Sequence, residues 1–222
     1  MSGAQTADPH HIGHGTHGHG AHGHSQITGS GRDGPAPKRI IVGYGFWIFL
    51  LSDIVMFSAF FAAYAVLASA TAGGPDGKKL FDLSNVAIET GCLLLSSFAC
   101  GIASIGSMLK NLLVFQIAMA VTFVLGAAFL GLELKEFIGL VAQGAGPQRS
   151  AFLSAFFSLV GCHGLHVTIG LLWLLTMMAQ VWAKGFREDI QRRILCFNLF
   201  WHALDIIWVA VFTVVYLLGA AL

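Results

Sequence analysis

The sequence predicts an all-α, polytopic membrane protein, a bundle of five transmembrane helices. Two observations carry this. Of 222 residues, 56% are hydrophobic and only 10% charged, against roughly 25% charged in a soluble domain. From Ile40 onward the apolar residues fall into five continuous runs, about 40–70, 85–109, 112–134, 152–182 and 194–220. Each meets the roughly 20 residues an α-helix needs to cross a hydrocarbon core ~30 Å thick. Continuous rather than alternating apolarity excludes a β-barrel, the other architecture that satisfies its backbone in lipid.

Residues 1–39 precede the first run and are rich in Gly, His, Ser, Thr and Pro, with no apolar stretch long enough to bury. Such a segment cannot offset the entropy of ordering, so a disordered tail is expected, followed by a single helical domain over 40–222. The tail lacks the layout of a signal peptide, and the first span is expected to direct insertion. Seven of the ten histidines fall in it, His10, His11, His14, His17, His19, His22 and His24. A flexible His-rich tract binds transition metals in a test tube, but the incidental reading is preferred.

The connections set the orientation. Arg32, Lys38, Arg39, Lys110, Lys184, Arg187, Arg192 and Arg193 fall on one side, and Lys78, Lys79, Lys135 and Arg149 on the other. The positive-inside rule then places the N-terminus in the cytoplasm and the C-terminus in the periplasm. Two connections, Ala72 to Gly77 and Gly144 to Arg149, read as Gly-Pro turns.

Formal net charge is +1, with the basic residues scattered between apolar runs, so nucleic acid is not an expected partner. Cys92, Cys100, Cys162 and Cys196 all sit within apolar segments and lack C-x-x-C spacing. They are expected to be small buried hydrophobes, with neither a disulfide nor a zinc site.

Ionisable groups at membrane depth are costly, so each must face protein and find a partner. At 1.5 Å per residue, Asp53, His163, His166, His202 and Asp205 fall in one broad layer near the midplane. Glu89, Glu133, Lys135 and Glu136 form a second layer nearer the outer face. His163 and His166 share a helix face, as do His202 and Asp205, so Asp205 is expected to hold or charge His202. Lys135 is close enough to compensate the paired acids if it snorkels to the interface.

Each of these has a plain structural reading. The two histidines of the fourth run are better placed for interhelical hydrogen bonds than for ligating a metal or haem. His202 and Asp205 fit a packing pair better than a proton relay. Asp53 is balanced between a proton-carrying carboxylate and a hydrogen-bonded contact face with Ser52 and Ser58. Glu89 near a helix N-terminus complements the helix dipole.

These blocks resemble subunit III of the haem-copper respiratory oxidases. The similarity lies in Gly45-Phe46-Trp47-Ile48-Phe49-Leu50-Leu51-Ser52-Asp53, in Glu89-Thr90 with Leu94-Leu95-Ser96-Ser97, and in Gly131-Leu132-Glu133 with Glu136-Phe137. It continues through Cys162-His163-Gly164-Leu165-His166-Val167 and the run from Trp201-His202 to Trp208, and covers residues 43–222 in order. Five spans instead of seven, with the segments Thr71 to Pro75 and Ser154 to Phe157, are closest to the bacterial cytochrome bo-type ubiquinol oxidases.

The resemblance implies a non-catalytic accessory subunit of the bacterial inner membrane, in contact with oxidase subunit I, in a complex with subunits II and IV, and with phospholipid. The haems and copper that reduce oxygen, and the ubiquinol that supplies electrons, would be handled elsewhere in that complex. The residue count agrees: a bis-histidine haem, a three-histidine copper and a proximal ligand need six histidines at membrane depth, and this chain has three there. Asp53 matches a position where cytochrome c oxidases carry a carbodiimide-reactive glutamate, one methylene longer. Glu133 and Glu136 match paired acids, and His163, His166, His202 and Asp205 match polar positions involved in packing or lipid contact. Subunit III of a cytochrome c oxidase is the neighbouring alternative. A stand-alone transporter or metal carrier is the alternative from another class, although no inverted repeat supports it.

Overall fold

The computed structural model describes residues 38–68, 70 and 83–221. Among them lie five long helices, α1 (Lys38–Leu67), α2 (Leu83–Met108), α3 (Leu112–Ala142), α4 (Ala151–Lys184) and α5 (Glu188–Val211). The last continues through a π-helical segment, Phe212–Leu217, into a final α-turn, Leu218–Ala221. All five are long and apolar enough to cross a membrane, and no strand occurs among the described residues. Helix α1 begins at Lys38, two positions inside the stretch expected to be a disordered tail. The rest of that tail and the turn over Ala72 to Gly77 lie outside the described residues.

Two helices are longer than their apolar runs. Helix α3 passes through Lys135 and Glu136 to Ala142 because those two residues are good helix formers though too polar to extend a hydropathy run. Its end is set by Gly144, whose φ of 74° lets the Gly144 N–H reach Val141 O and the Ala145 N–H reach Leu140 O. That is a Schellman closure at a position suited to glycine. Helix α5 starts at Glu188 rather than near 194, with Glu188 and Asp189 in its first turn, where their charge favours the helix dipole.

The α2–α3 connection is the tightest in the fold. Lys110 adopts a positive φ of 54°, which lets the Asn111 N–H close back on Gly106 O. The Asn111 side chain then accepts from Leu113 N and Val114 N, capping α3. Close approach at this hairpin needs Gly106, since a Cβ there would sit 3.0 Å from the backbone N of Phe115. Helix α4 is capped by Ser150, which accepts from Leu153 N.

Packing closes a ring. Helix α2 lies against α3, α3 against α4, α4 against α5 and α5 back against α2, while α1 packs outside the ring on α4 and α5. Only 11% of the α1 span is buried within the chain, against 33–50% for the other four. The ring is filled by aromatic side chains, chief among them Trp201 and Trp208 of α5. The Trp201 indole lies between Gly126 of α3 and Gly170 of α4, where added Cβ atoms would come within 3.0 and 2.9 Å of its six-membered ring.

Glycines do not all serve this purpose. Gly91 and Gly101 of α2 have no neighbour within 4 Å of an added Cβ, so they are not used for close approach within the chain. Gly170→Leu should therefore displace Trp201 and destabilise the bundle by about 1–3 kcal/mol or more, seen as a lower unfolding temperature in detergent. Gly101→Ala should leave stability unchanged or raise it by up to about 1 kcal/mol, because alanine is the better helix former.

Candidate functional site

Helix α5 presents polar side chains to α2 along an antiparallel seam. The Trp201 Nε1–H donates to Ser96 Oγ at 3.1 Å, and the Trp208 Nε1–H to Thr90 Oγ1 at 3.1 Å. Between them His202 Nδ1 lies 2.6 Å from Ser97 Oγ, and at one end the Cys100 thiol donates to Asn198 Oδ1 at 3.2 Å. Both acceptor hydroxyls on α2 are held by their own helix, Ser96 donating to Leu93 O and Thr90 to Val86 O. Thr122 of α3 adds a bond to Ser96 O at 3.3 Å, linking three helices at one residue.

The spacing of His202 and Asp205 pointed to a pair within α5. The two do lie within electrostatic reach of each other, and across the seam His202 Nδ1 makes a short contact with Ser97 Oγ, a hydroxyl that Asp205 shares. A serine has one proton to give. If it goes to the Asp205 carboxylate, the hydroxyl oxygen accepts from the His202 Nδ1–H, and the three groups form a chain. Both α5 residues are half-buried. Beside His202 an apolar groove of about 340 Å³ runs between α1 and α5, lined by Trp47, Phe57, Phe61 and Ile207 among others.

The other midplane groups lie on the α1–α4 side. His163 is fully buried among Phe57 of α1, Phe129 of α3 and Trp208 of α5, with ring centroids 6.3, 5.9 and 5.1 Å away. Neither of its ring nitrogens has a hydrogen-bond partner. His166 is half-buried, with Nδ1 2.8 Å from Cys162 O. A carbonyl only accepts, so Nδ1 carries the hydrogen and the bond stays within α4. The interhelical bonds expected of these two histidines are therefore replaced by ring packing and a bond along the helix. Asp53 is half-buried within electrostatic reach of Cys162. Ser52 and Ser58 do not join it, since each bonds back to its own helix, at Phe49 O and Ile54 O.

The outer acids meet. Glu89 of α2 and Glu133 of α3 are buried at 1% and 2% exposure, each with one carboxyl oxygen lacking a partner. Glu136 lies within electrostatic range of both, and Tyr216 of the π segment within range of all three. The Glu133 carboxyl rests on Gly164 of α4, where an added Cβ would meet its Oε1 at 3.0 Å. Lys135 could compensate this charge by snorkelling to the interface; its side chain is exposed and borders a cavity beside the acids, and no ion pair to it is found among the described residues.

Among the described residues no three His, Cys, Asp or Glu side chains converge as metal ligands. The residues that sequence reasoning missed as partners are Thr90, Ser96, Ser97, Asn198 and Tyr216. The separation of Trp201 and Trp208 by seven residues, two helical turns, was the available signal for the two hydroxyls.

The chain matches the family described as cytochrome c oxidase subunit III over residues 28–220. It is 54% identical over 178 residues to the cytochrome bo(3) ubiquinol oxidase subunit 3 of Pseudomonas aeruginosa, covering 80% of this chain and 85% of that one. The quinol oxidase subunit 3 of Bacillus subtilis is 45% identical, with 79% and 86% covered. A Bacillus cytochrome c oxidase subunit 3 is 41% identical, with 79% and 84% covered.

Ser97→Ala should leave His202 and Asp205 without their shared partner. The expected cost is about 0.6–2 kcal/mol, measured as a fall in unfolding temperature in detergent, while Ser52→Ala, which loses only a bond along its own helix, should fall within about 0.5 kcal/mol of wild type.

Proposed function

Since the chain belongs to the cytochrome c oxidase subunit III family, we propose that it is the non-catalytic third subunit of a bo-type ubiquinol oxidase. In that complex ubiquinol would be oxidised and oxygen reduced to water at haem and copper centres held by subunit I. The observation that carries the quinol branch is the 54% identity to a cytochrome bo(3) ubiquinol oxidase subunit 3, against 41% to a cytochrome c oxidase subunit 3. The second figure keeps the cytochrome c branch as the alternative. Nothing supports a stand-alone transporter.

The geometry bears on how such a subunit works. Glu89, Glu133 and His163 are buried within the chain itself. Docking against subunit I, with subunits II and IV completing the complex, would then rely on apolar surface. Helix α1 supplies the most, with Ile40, Tyr44, Ile48, Phe49 and Val55 more than half exposed. Surface of this kind demands lipid or protein. Shape complementarity between apolar faces drives helix association in a bilayer, where burial of hydrocarbon gains nothing over lipid. The groove between α1 and α5 suits an acyl chain of a phospholipid. The placement proposed is the bacterial inner membrane, with the N-terminus cytoplasmic and the C-terminus periplasmic.

Purification of the tagged chain from its native membrane in mild detergent tests this reading. Haem should co-purify, and oxygen uptake should be driven by ubiquinol well above the rate with reduced cytochrome c. Preference for cytochrome c would move the chain to the sister branch. A colourless preparation lacking a large partner would sink the assignment to an oxidase complex.

A further inference from the structure

The mouth of the seam between α2 and α5 holds polar groups that the seam does not use. A cavity of about 240 Å³ opens there, lined by Ser104, Ser107 and Met108 of α2, Lys110 of the α2–α3 connection, and Gln191 and Leu195 of α5. We propose that it binds a phosphate group, either that of a phospholipid headgroup at the bilayer surface or free phosphate from solution.

The buried hydroxyls supply the first observation. Ser96, Ser97, Thr122 and Ser150 each make a side-chain hydrogen bond. Ser107 is also buried, at 4% exposure, and lines the cavity, yet its hydroxyl bonds to no described residue. A hydroxyl removed from bulk water costs free energy unless it finds a partner, and the cavity is where one fits. Ser104, three residues earlier on the same helix face, and the Gln191 amide on the facing wall are likewise uncommitted among the described residues.

Charge is the second observation. Of the described lining residues Lys110 is cationic and none is acidic. An ammonium beside hydroxyl and amide donors selects an anion over a metal cation. The acids of the adjoining turn, Glu188 and Asp189, are exposed, and Asp189 lies 3.7 Å from Arg187. Helix ends agree with an anion. Helices α3 and α5 both begin at this mouth with their positive ends, whereas α2 ends there with its Ile105, Gly106 and Ser107 carbonyls closed by the N–H groups of Leu109, Asn111 and Lys110. Size favours a polyatomic anion: the cavity is several times the ~30 Å³ share of one water molecule, and a phosphate's oxygens can meet the ammonium, both hydroxyls and the amide together.

Depth places the site at the bilayer surface. Helix α2 has 26 residues, ~39 Å at 1.5 Å per residue, longer than a hydrocarbon core of ~30 Å. Ser107 is one residue from its end, level with the headgroup layer. Ile105, Met108 and Leu109 beside it are each more than half exposed and continue as apolar surface that acyl chains can cover.

The test is native mass spectrometry of the tagged, purified complex after delipidation in detergent. It is titrated separately with short-chain phosphatidylglycerol, with inorganic phosphate, and with diacylglycerol, which lacks the phosphate. The comparison variant is Lys110→Asn/Ser107→Ala, in which asparagine removes the charge while tolerating the positive φ of 54° at that position. Wild type should bind phosphatidylglycerol or phosphate at least about tenfold more tightly than the variant, as expected for losing a charge-assisted contact and a second donor. Sensitivity to the variant with phosphatidylglycerol alone assigns the site to lipid, and sensitivity with inorganic phosphate assigns it to the free ion. No binding of either, equal binding by wild type and variant, or diacylglycerol held as tightly as phosphatidylglycerol would overturn the site. Binding that appears only after removal of residues 1–30 would mean that the chain's own tail fills the cavity, and would overturn it as well. Should the double variant fail to assemble, Ser104→Ala/Ser107→Ala is read by the same criterion. The readout is the mass of bound ligand, so it stands apart from the oxidase assignment, which rests on co-purified haem.

Discussion

The seam between α2 and α5 is the interaction on which the remaining packing depends. Two indole N–H groups, an imidazole and an amide on α5 meet two hydroxyls, a third hydroxyl and a thiol on α2. Each bond alone is worth little, about 0.6 kcal/mol on average between helices in a membrane. Their value is in register. In lipid a helix pair with only apolar contacts can slide or rotate at small cost, whereas four bonds spread over three turns define both rotation and offset. They also join the last helix to an early one, and so close the ring that the intervening connections leave open.

Fixing α5 in this way determines what its neighbours must be. With its N–H committed to Ser96, the Trp201 ring has to project between α3 and α4, which is tolerable only where Gly126 and Gly170 remove side chains from its path. Trp208, committed to Thr90, presents its ring to Phe129 at 4.6 Å and to His163 at 5.1 Å. His163 thereby receives a wall from α5 as well as from α1 and α3. The imidazole is accommodated by ring packing, an arrangement consistent with the favourable edge and face contacts of aromatic groups.

Sequence alone exposes the spans and the residues that matter, but not their partners. Hydropathy locates five helices because the bilayer demands it, and misjudges two ends because Lys135, Glu136, Glu188 and Asp189 are helical without being apolar. Counting rise along each helix also places Glu89 at the depth of Glu133 and Glu136, where the three do meet. Depth is a one-dimensional coordinate that a sequence supplies. Rotation about the helix axis relative to another helix is not, which is why spacing finds Asp205 beside His202, whose charge it does feel, but not Ser97 across the seam, which both share. The same gap hid the pairing of glycines on two helices with one tryptophan on a third.

The two buried polar centres also differ in kind, and the difference follows from what surrounds them. His163 is enclosed by the rings of Phe57, Phe129 and Trp208. The acids stand one turn further along α3, beside the π segment, where the irregular backbone of Phe212–Leu217 brings Tyr216 inward and a cavity reaches Glu89 and Glu136. Irregular helical geometry of this type is often found where a fold has a task beyond packing. A residue buried only to hold helices together gains from being fully satisfied, as Ser96 and Thr90 are. Glu89 and Glu133, by contrast, each keep one buried carboxyl oxygen without a hydrogen-bond partner, a cost that packing alone does not offset.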